Sequence, residues 1–181
     1  MAKPFHLVIE KQSKNWDRVQ GFDKRLQAAT EAALAALPEA LLPVAAKAQA
    51  TVLLTSDKEV QQLNREFRKV DKPTNVLSFP QFDRVELRRA AKCLGGVYVG
   101  DIAVAYGTVV KEAKAEGKEV LDHLTHLVIH GWLHLFGYDH DTSGKAAHME
   151  RLEKEIMASL GLPDPYEAQP KETRGSTKRK K

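Results

Sequence analysis

Apolar residues recur along this chain with two different periods. Phe5–Glu10 alternates enough between apolar and polar side chains to read as a strand. Between Gly21 and Leu37, the residues Leu26, Ala29, Ala33, Leu34 and Leu37 share one helical face, and Pro38 ends the run. Thr51–Thr55 reads as a short apolar strand. Ser56 and Glu59 have the spacing of a capping box, which predicts a helix with Val60, Leu63 and Phe67 on one face. After the breaker Asp71-Lys72-Pro73-Thr74, Val76–Phe79 reads as a strand stopped by Pro80. Residues 81–94 read as a charged surface excursion. Val97–Ala105 is a second buried strand, interrupted at Gly100-Asp101. Helical spacing returns over 107–116, 119–136 and about 145–160, the last with Met149, Leu152, Ile156 and Leu160 before Gly161 and Pro163.

Strands before and between helices predict an α+β fold: a small mixed β-sheet of about four strands packed with about five or six α-helices. No internal repeat is present. The 181 residues, 43% of them hydrophobic, suffice for one full core and not two, so residues 1–168 are expected to form a single domain. Residues 169–181 lack apolar anchors and are expected to be disordered. The uncharged stretch Leu124–Tyr138 has 15 residues, too few to span a bilayer. The N-terminal residues lack an apolar run of signal-peptide length. A cytoplasmic location without a membrane partner is the resulting expectation. A lone cysteine, Cys93, excludes an internal disulfide framework and a multi-cysteine zinc module.

The formal net charge of +4 is unevenly spread. Residues 171–181 hold six Lys/Arg and one Glu, whereas the preceding 170 residues hold 22 basic and 23 acidic side chains. A polyanionic partner must therefore be argued from local clusters. Lys58–Lys92 contains nine basic and five acidic residues, enough to track an RNA backbone and equally compatible with a mixed-sign solvated surface. The basic tail fits either added non-specific RNA affinity or a bystander terminus.

Six of the seven histidines lie between His123 and His148. In the run His130-Gly131-Trp132-Leu133-His134-Leu135-Phe136-Gly137-Tyr138-Asp139-His140, the first two histidines are four apart, so a helix projects both rings from one face. Gly137 can end that helix in the left-handed conformation and turn His140 back toward them. Three imidazoles with a fourth position open are the donor set of a catalytic zinc site. Nickel, copper and iron are chemically admissible in the same set. His126 lies on the same helical face, and is expected either to support a ligand or to face substrate. His123 and His148 read as core histidines. Metzincin peptidases share this spacing but carry glutamate directly after the first histidine as general base. Here that position is Gly131, which disfavours peptide hydrolysis.

Together with LNREFRKVDKPTNVLSFP (63–80) and VGDIAV (99–104), the run HGWLHLFGYDH (130–140) resembles the YbeY family of bacterial single-strand-specific metallo-endoribonucleases. The likeness covers about residues 50 to 165. It implies a zinc-dependent endoribonuclease with one divalent ion per chain, acting in rRNA maturation at the small-subunit 3′ end and in ribosome quality control. It carries His130, His134 and His140 over as metal ligands and Arg68 as the catalytic arginine. The implied partners are single-stranded rRNA and the ribosome or its proteins, not DNA. Asn75 stands where many members have aspartate, so no catalytic carboxylate is assigned there.

The residues themselves agree with phosphodiester chemistry. A divalent ion with an open position polarises a phosphoryl oxygen, and a guanidinium matches phosphate with two parallel hydrogen bonds. Attack by water or by the substrate 2′-OH both remain open. Phe79, Phe82 and Trp132 are candidate platforms for unpaired bases, with core packing the commoner use of Phe79 and Trp132. A ribosome-associated RNA-binding factor with a mainly structural metal, or another metallohydrolase, are the competing readings.

Overall fold

A computed structural model of the chain describes residues 5–167. The basic segment 169–181, expected from the sequence to be disordered, lies outside these residues. Four strands form one mixed sheet: β1 (His6–Lys11), β2 (Ala48–Thr55), β3 (Val76–Pro80) and β4 (Val97–Ala105). Their spatial order is β1-β2-β4-β3, with β1, β2 and β4 mutually parallel and β3 antiparallel to β4 at one edge. The helices are α1 (Phe22–Ala35), α2 (Leu42–Ala45), α3 (Asp57–Arg68), α4 (Arg84–Ala90), α5 (Tyr106–Glu116), α6 (Val120–Leu135) and α7 (Ser143–Ser159). The architecture is α+β.

Two of these helices go beyond the sequence pattern. One, α2, is a single turn. The other, α4, occupies the segment read as a surface excursion. Asp83 and Glu86 make a reciprocal capping box there, and Leu87 and Ala90 are buried. At α3, Ser56 accepts a hydrogen bond from the Glu59 amide, as its spacing predicts. No single helix among the described residues is long and apolar enough to cross a membrane.

The sheet is covered unequally. One face carries the main core, where Ala50, Val52, Leu54, Ile102 and Val104 pack with Leu26 and Ala33 of α1 and with Leu124, Val128 and Ile129 of α6. The opposite face carries a much smaller cluster, Val60, Leu77, Ala103 and Ala105, under α3. Trp132 is 1% exposed and its indole N–H donates to Thr30 Oγ1 at 2.9 Å, so it anchors α6 to α1 and presents no stacking surface.

Strand β4 is continuous through Gly100, where the sequence suggested an interruption. Gln49 pairs with Tyr98 and Ala50 with Gly100, so Val99 is the extra residue of a β-bulge. The bulge explains a change of phase in the sequence: Val97 and Val99 face the main core before it, Ile102 and Val104 after it. Gly100 adopts φ +140°, and a Cβ there would lie 2.2 Å from the Phe79 carbonyl oxygen. Gly100→Ala therefore adds backbone strain to a backbone clash, with an expected cost of about 3 kcal/mol in denaturant titration. A loss below about 0.5 kcal/mol would show that the bulge relaxes freely.

Candidate metal centre

The apolar helix α6 runs between the sheet and α7, and its histidines lie on one stripe. His123, His126, His130 and His134 follow one another at intervals of three or four, so packing α6 into the core also fixes a line of imidazoles. Helix α6 ends in a complete Schellman motif. The Tyr138 amide donates to the Leu133 carbonyl at 3.0 Å and the Gly137 amide to the His134 carbonyl at 3.0 Å. Gly137 has φ +79°. The reversal brings His140 back, with ring centroids 5.0 Å from His134 and 5.6 Å from His130.

One ring nitrogen from each of His130, His134 and His140 lies within 4.8 Å of the others, close enough to grip one ion. Among the described residues no carboxylate or thiolate completes that group as a fourth donor. The tautomers can be assigned from the other ring nitrogens. Nδ1–H of His134 donates to the Tyr138 carbonyl at 2.9 Å, which can only accept. Nδ1–H of His130 donates to Glu153 Oε1 at 2.7 Å. With both rings neutral, both Nε2 atoms carry lone pairs, and they face each other at 3.0 Å. Two lone pairs at that distance repel unless a proton or a metal cation sits between them. Burial, followed by the neighbouring His130 and His140, pushes the His134 imidazole down to about 4, so it is neutral at pH 7 as a ligand must be. On the chemistry of its donors, the cluster fits a divalent transition metal.

Glu153 organises this centre from α7. The side chain is 0% exposed and accepts from His126 Nε2 at 2.7 Å, from His130 Nδ1, and from the Tyr166 hydroxyl. Burial alone would raise its carboxyl, but the hydrogen bonds from His126 and His130 prevail and hold it at about 2. A fully ionised carboxylate accepts at every contact and so fixes both imidazoles as donors. His126 therefore meets His130 through Glu153. It borders a separate small pocket with His123, Lys118 and Asp164, not the cleft that contains His130. His123 is buried against Glu112 at 2.8 Å, and Glu112 also accepts from the Asn75 amide at 2.9 Å.

The three imidazoles open into a cleft of ≈ 640 Å³. Arg68, at the end of α3, lines it together with Asn75, Ser78, Phe82 and Arg84. Arg84 was not singled out by the sequence reading. Its guanidinium lies 5.3 Å from the centre of the Tyr138 ring, on the loop that positions His140. Gly131 turns away from the cleft. A Cβ there would meet three carbons of Ile102 at 2.8 to 3.0 Å, so the metzincin glutamate has no room at this position.

The fold and the site define a class: an α+β protein with three convergent imidazoles in an arginine-lined cleft. A family model described as Endoribonuclease YbeY matches residues 9–161. A relative from Rhodopseudomonas palustris strain BisB5, named Endoribonuclease YbeY, is 50% identical over 121 residues, covering 66% of this chain and 62% of its own length. A second, from R. palustris strain ATCC BAA-98 / CGA009 and bearing the same name, is 51% identical over 123 residues, covering 67% and 62%. The chain thus matches somewhat under two thirds of the length of these two relatives. A solution structure from Thermotoga maritima aligns over 89% of this chain and 99% of that one, at 23% identity and a TM-score of 0.48. The chain belongs to the YbeY family.

Substituting Glu153 by Gln preserves shape but replaces one acceptor oxygen by a donor. Glu153→Gln is expected to weaken affinity for a divalent transition metal about 10- to 100-fold in a chelator competition. Undiminished affinity would show that the carboxylate does not organise the imidazoles.

Proposed function

We propose that this chain is a zinc-dependent, single-strand-specific endoribonuclease that acts in the cytoplasm on rRNA, in small-subunit 3′-end maturation and ribosome quality control. The observation that carries the reading is the pair of Nε2 lone pairs at 3.0 Å with His140 beside them, open to a cleft that contains Arg68. Membership of the YbeY family supports RNA as the substrate, since the relatives bear the name endoribonuclease.

His130, His134 and His140 would hold the ion. Bound zinc supplies a Lewis acid for a phosphoryl oxygen and a source of nucleophilic water near neutral pH. The remaining work falls to the chain. Glu153 and the Tyr138 carbonyl keep His130 and His134 in the tautomer that turns Nε2 inward. Arg68 receives a non-bridging phosphate oxygen and stabilises the charge that grows there as the P–O bond breaks. Arg84, on the same cleft wall as Tyr138, offers a second cation for the flanking phosphate.

Two competing readings meet specific obstacles. A structural zinc site closes its coordination with four protein donors, and only three converge here among the described residues. A metzincin-type peptidase needs a carboxylate after the first histidine, and residue 131 faces Ile102 instead.

His134→Ala is expected to lose zinc and RNA cleavage together, by metal analysis and a single-stranded RNA assay on one preparation. Equal zinc content with unchanged cleavage would defeat the ligand assignment. Arg68→Glu is expected to retain folding and zinc while cleavage falls by at least ~100-fold. Full activity would remove this arginine from the site.

A further inference from the structure

The hydrophobic pattern places Phe67 with Val60 and Leu63 on the buried face of α3. Val60 is buried, but Phe67 is 65% exposed. Single exposed apolar residues are ordinary; the surroundings of this one are not. Its ring meets Phe79 edge-on, with centroids 5.2 Å apart and planes at 66°. Val70 is also exposed, and Arg65, Arg68, Lys69 and Lys72 lie within five residues of Phe67 along the chain. Among the described residues none of these four cations has an ion-pair partner.

The turn that carries this patch is held in shape. Lys69 caps α3 in the left-handed conformation with φ +60°, and the Val70 amide donates to the Asn64 carbonyl at 3.3 Å. Asn64, itself buried, donates its side-chain amide to the Lys72 carbonyl at 2.9 Å. The aromatic surface is therefore presented on a fixed element, which reduces the ordering cost of binding.

The topology sets the patch beside the cleft. Strand β3 is an edge strand whose residues alternate: Val76, Ser78 and Pro80 line the cleft, whereas Leu77 belongs to the small core under α3 and Phe79 packs against it. Arg68 lines the cleft, and its chain neighbour Phe67 packs on Phe79 on the other side of that edge. Consecutive Cα atoms are about 3.8 Å apart, so Arg68 on the cleft side and Phe67 on the other side spring from adjacent points of one sheet edge.

We propose that Phe67, backed by Phe79, is a stacking platform for an unpaired base of an RNA strand whose phosphate is held at Arg68. This rests on the reading of the cleft as an RNA-cleaving site and adds a subsite to it. The unpartnered cations favour a polyanion over a neutral protein surface. An exposed aromatic accepts the face of an unpaired base but not that of a base stacked inside a duplex. The platform thus supplies a physical source of preference for single strands.

Phe67→Trp provides a direct reporter, because the two native tryptophans are 0% and 1% exposed. With chelator present, titration with single-stranded oligoadenylate is expected to quench the new tryptophan. Equal-length duplex RNA and a base-free sugar–phosphate oligomer are expected not to. In cleavage assays Phe67→Ala is expected to raise KM by about 5- to 100-fold with kcat within about twofold, and Phe67→Trp to restore KM. Normal RNA binding by anisotropy with unchanged tryptophan emission and an intact KM in Phe67→Ala overturns the platform alone, and gives the face to a protein partner. Quenching without cleavage by the zinc-loaded parent chain upholds the platform and contradicts the nuclease reading. No RNA binding by the parent chain overturns both.

Discussion

Two imidazole lone pairs aimed at one another across 3.0 Å are the constraint around which this molecule is arranged. Such a contact is unfavourable unless a proton or a metal cation completes it, and the protein holds it from both sides. The Tyr138 carbonyl fixes one ring and Glu153 the other. Burying a carboxylate costs several kcal/mol unless its oxygens are satisfied. Glu153 meets that condition with two imidazole N–H groups and a tyrosine hydroxyl. The fold accepts a charged residue in its interior and gains a preorganised cluster of three imidazoles.

The rest of the architecture serves this arrangement. Helix α6 lies against the sheet along Ile102, close enough that residue 131 has no room for a side chain. Trp132 ties the same turn to α1. With α6 immobilised, the Schellman turn at Gly137 delivers His140 along a defined path. The edge strand β3 forms a wall of the cleft, and α3 ends where Arg68 reaches over that wall. The arginine and the histidines thus come from separate elements that one sheet holds in register.

Much of this was legible in the sequence, and the exceptions have physical causes. The spacing of His130, His134, Gly137 and His140 could be read because helical period and turn chemistry are local properties. Glu153 belongs to a contact between α6 and α7 that no local pattern displays. It did leave a trace: Met149, Leu152, Ile156 and Met157 are the buried face of α7, and Glu153 is the charge within that face. Helix α4 was hidden by its charged surface, although Asp83 and Glu86 carry capping spacing. Phe67 was placed inward by period alone. The small cluster beneath α3 ends before the helix does, leaving the last turn overhanging the sheet edge. The strand break read at Gly100-Asp101 was a real signal of a bulge that shifts the phase of β4 without ending it.

The most direct measurement on the central claim is zinc K-edge absorption spectroscopy of the purified chain. Convergent imidazoles predict one zinc per chain with three imidazole nitrogens and one light atom from solvent, at about 2.0–2.1 Å. A sulfur scatterer, a shell of oxygens alone, or no stoichiometric zinc under loading conditions would contradict the account.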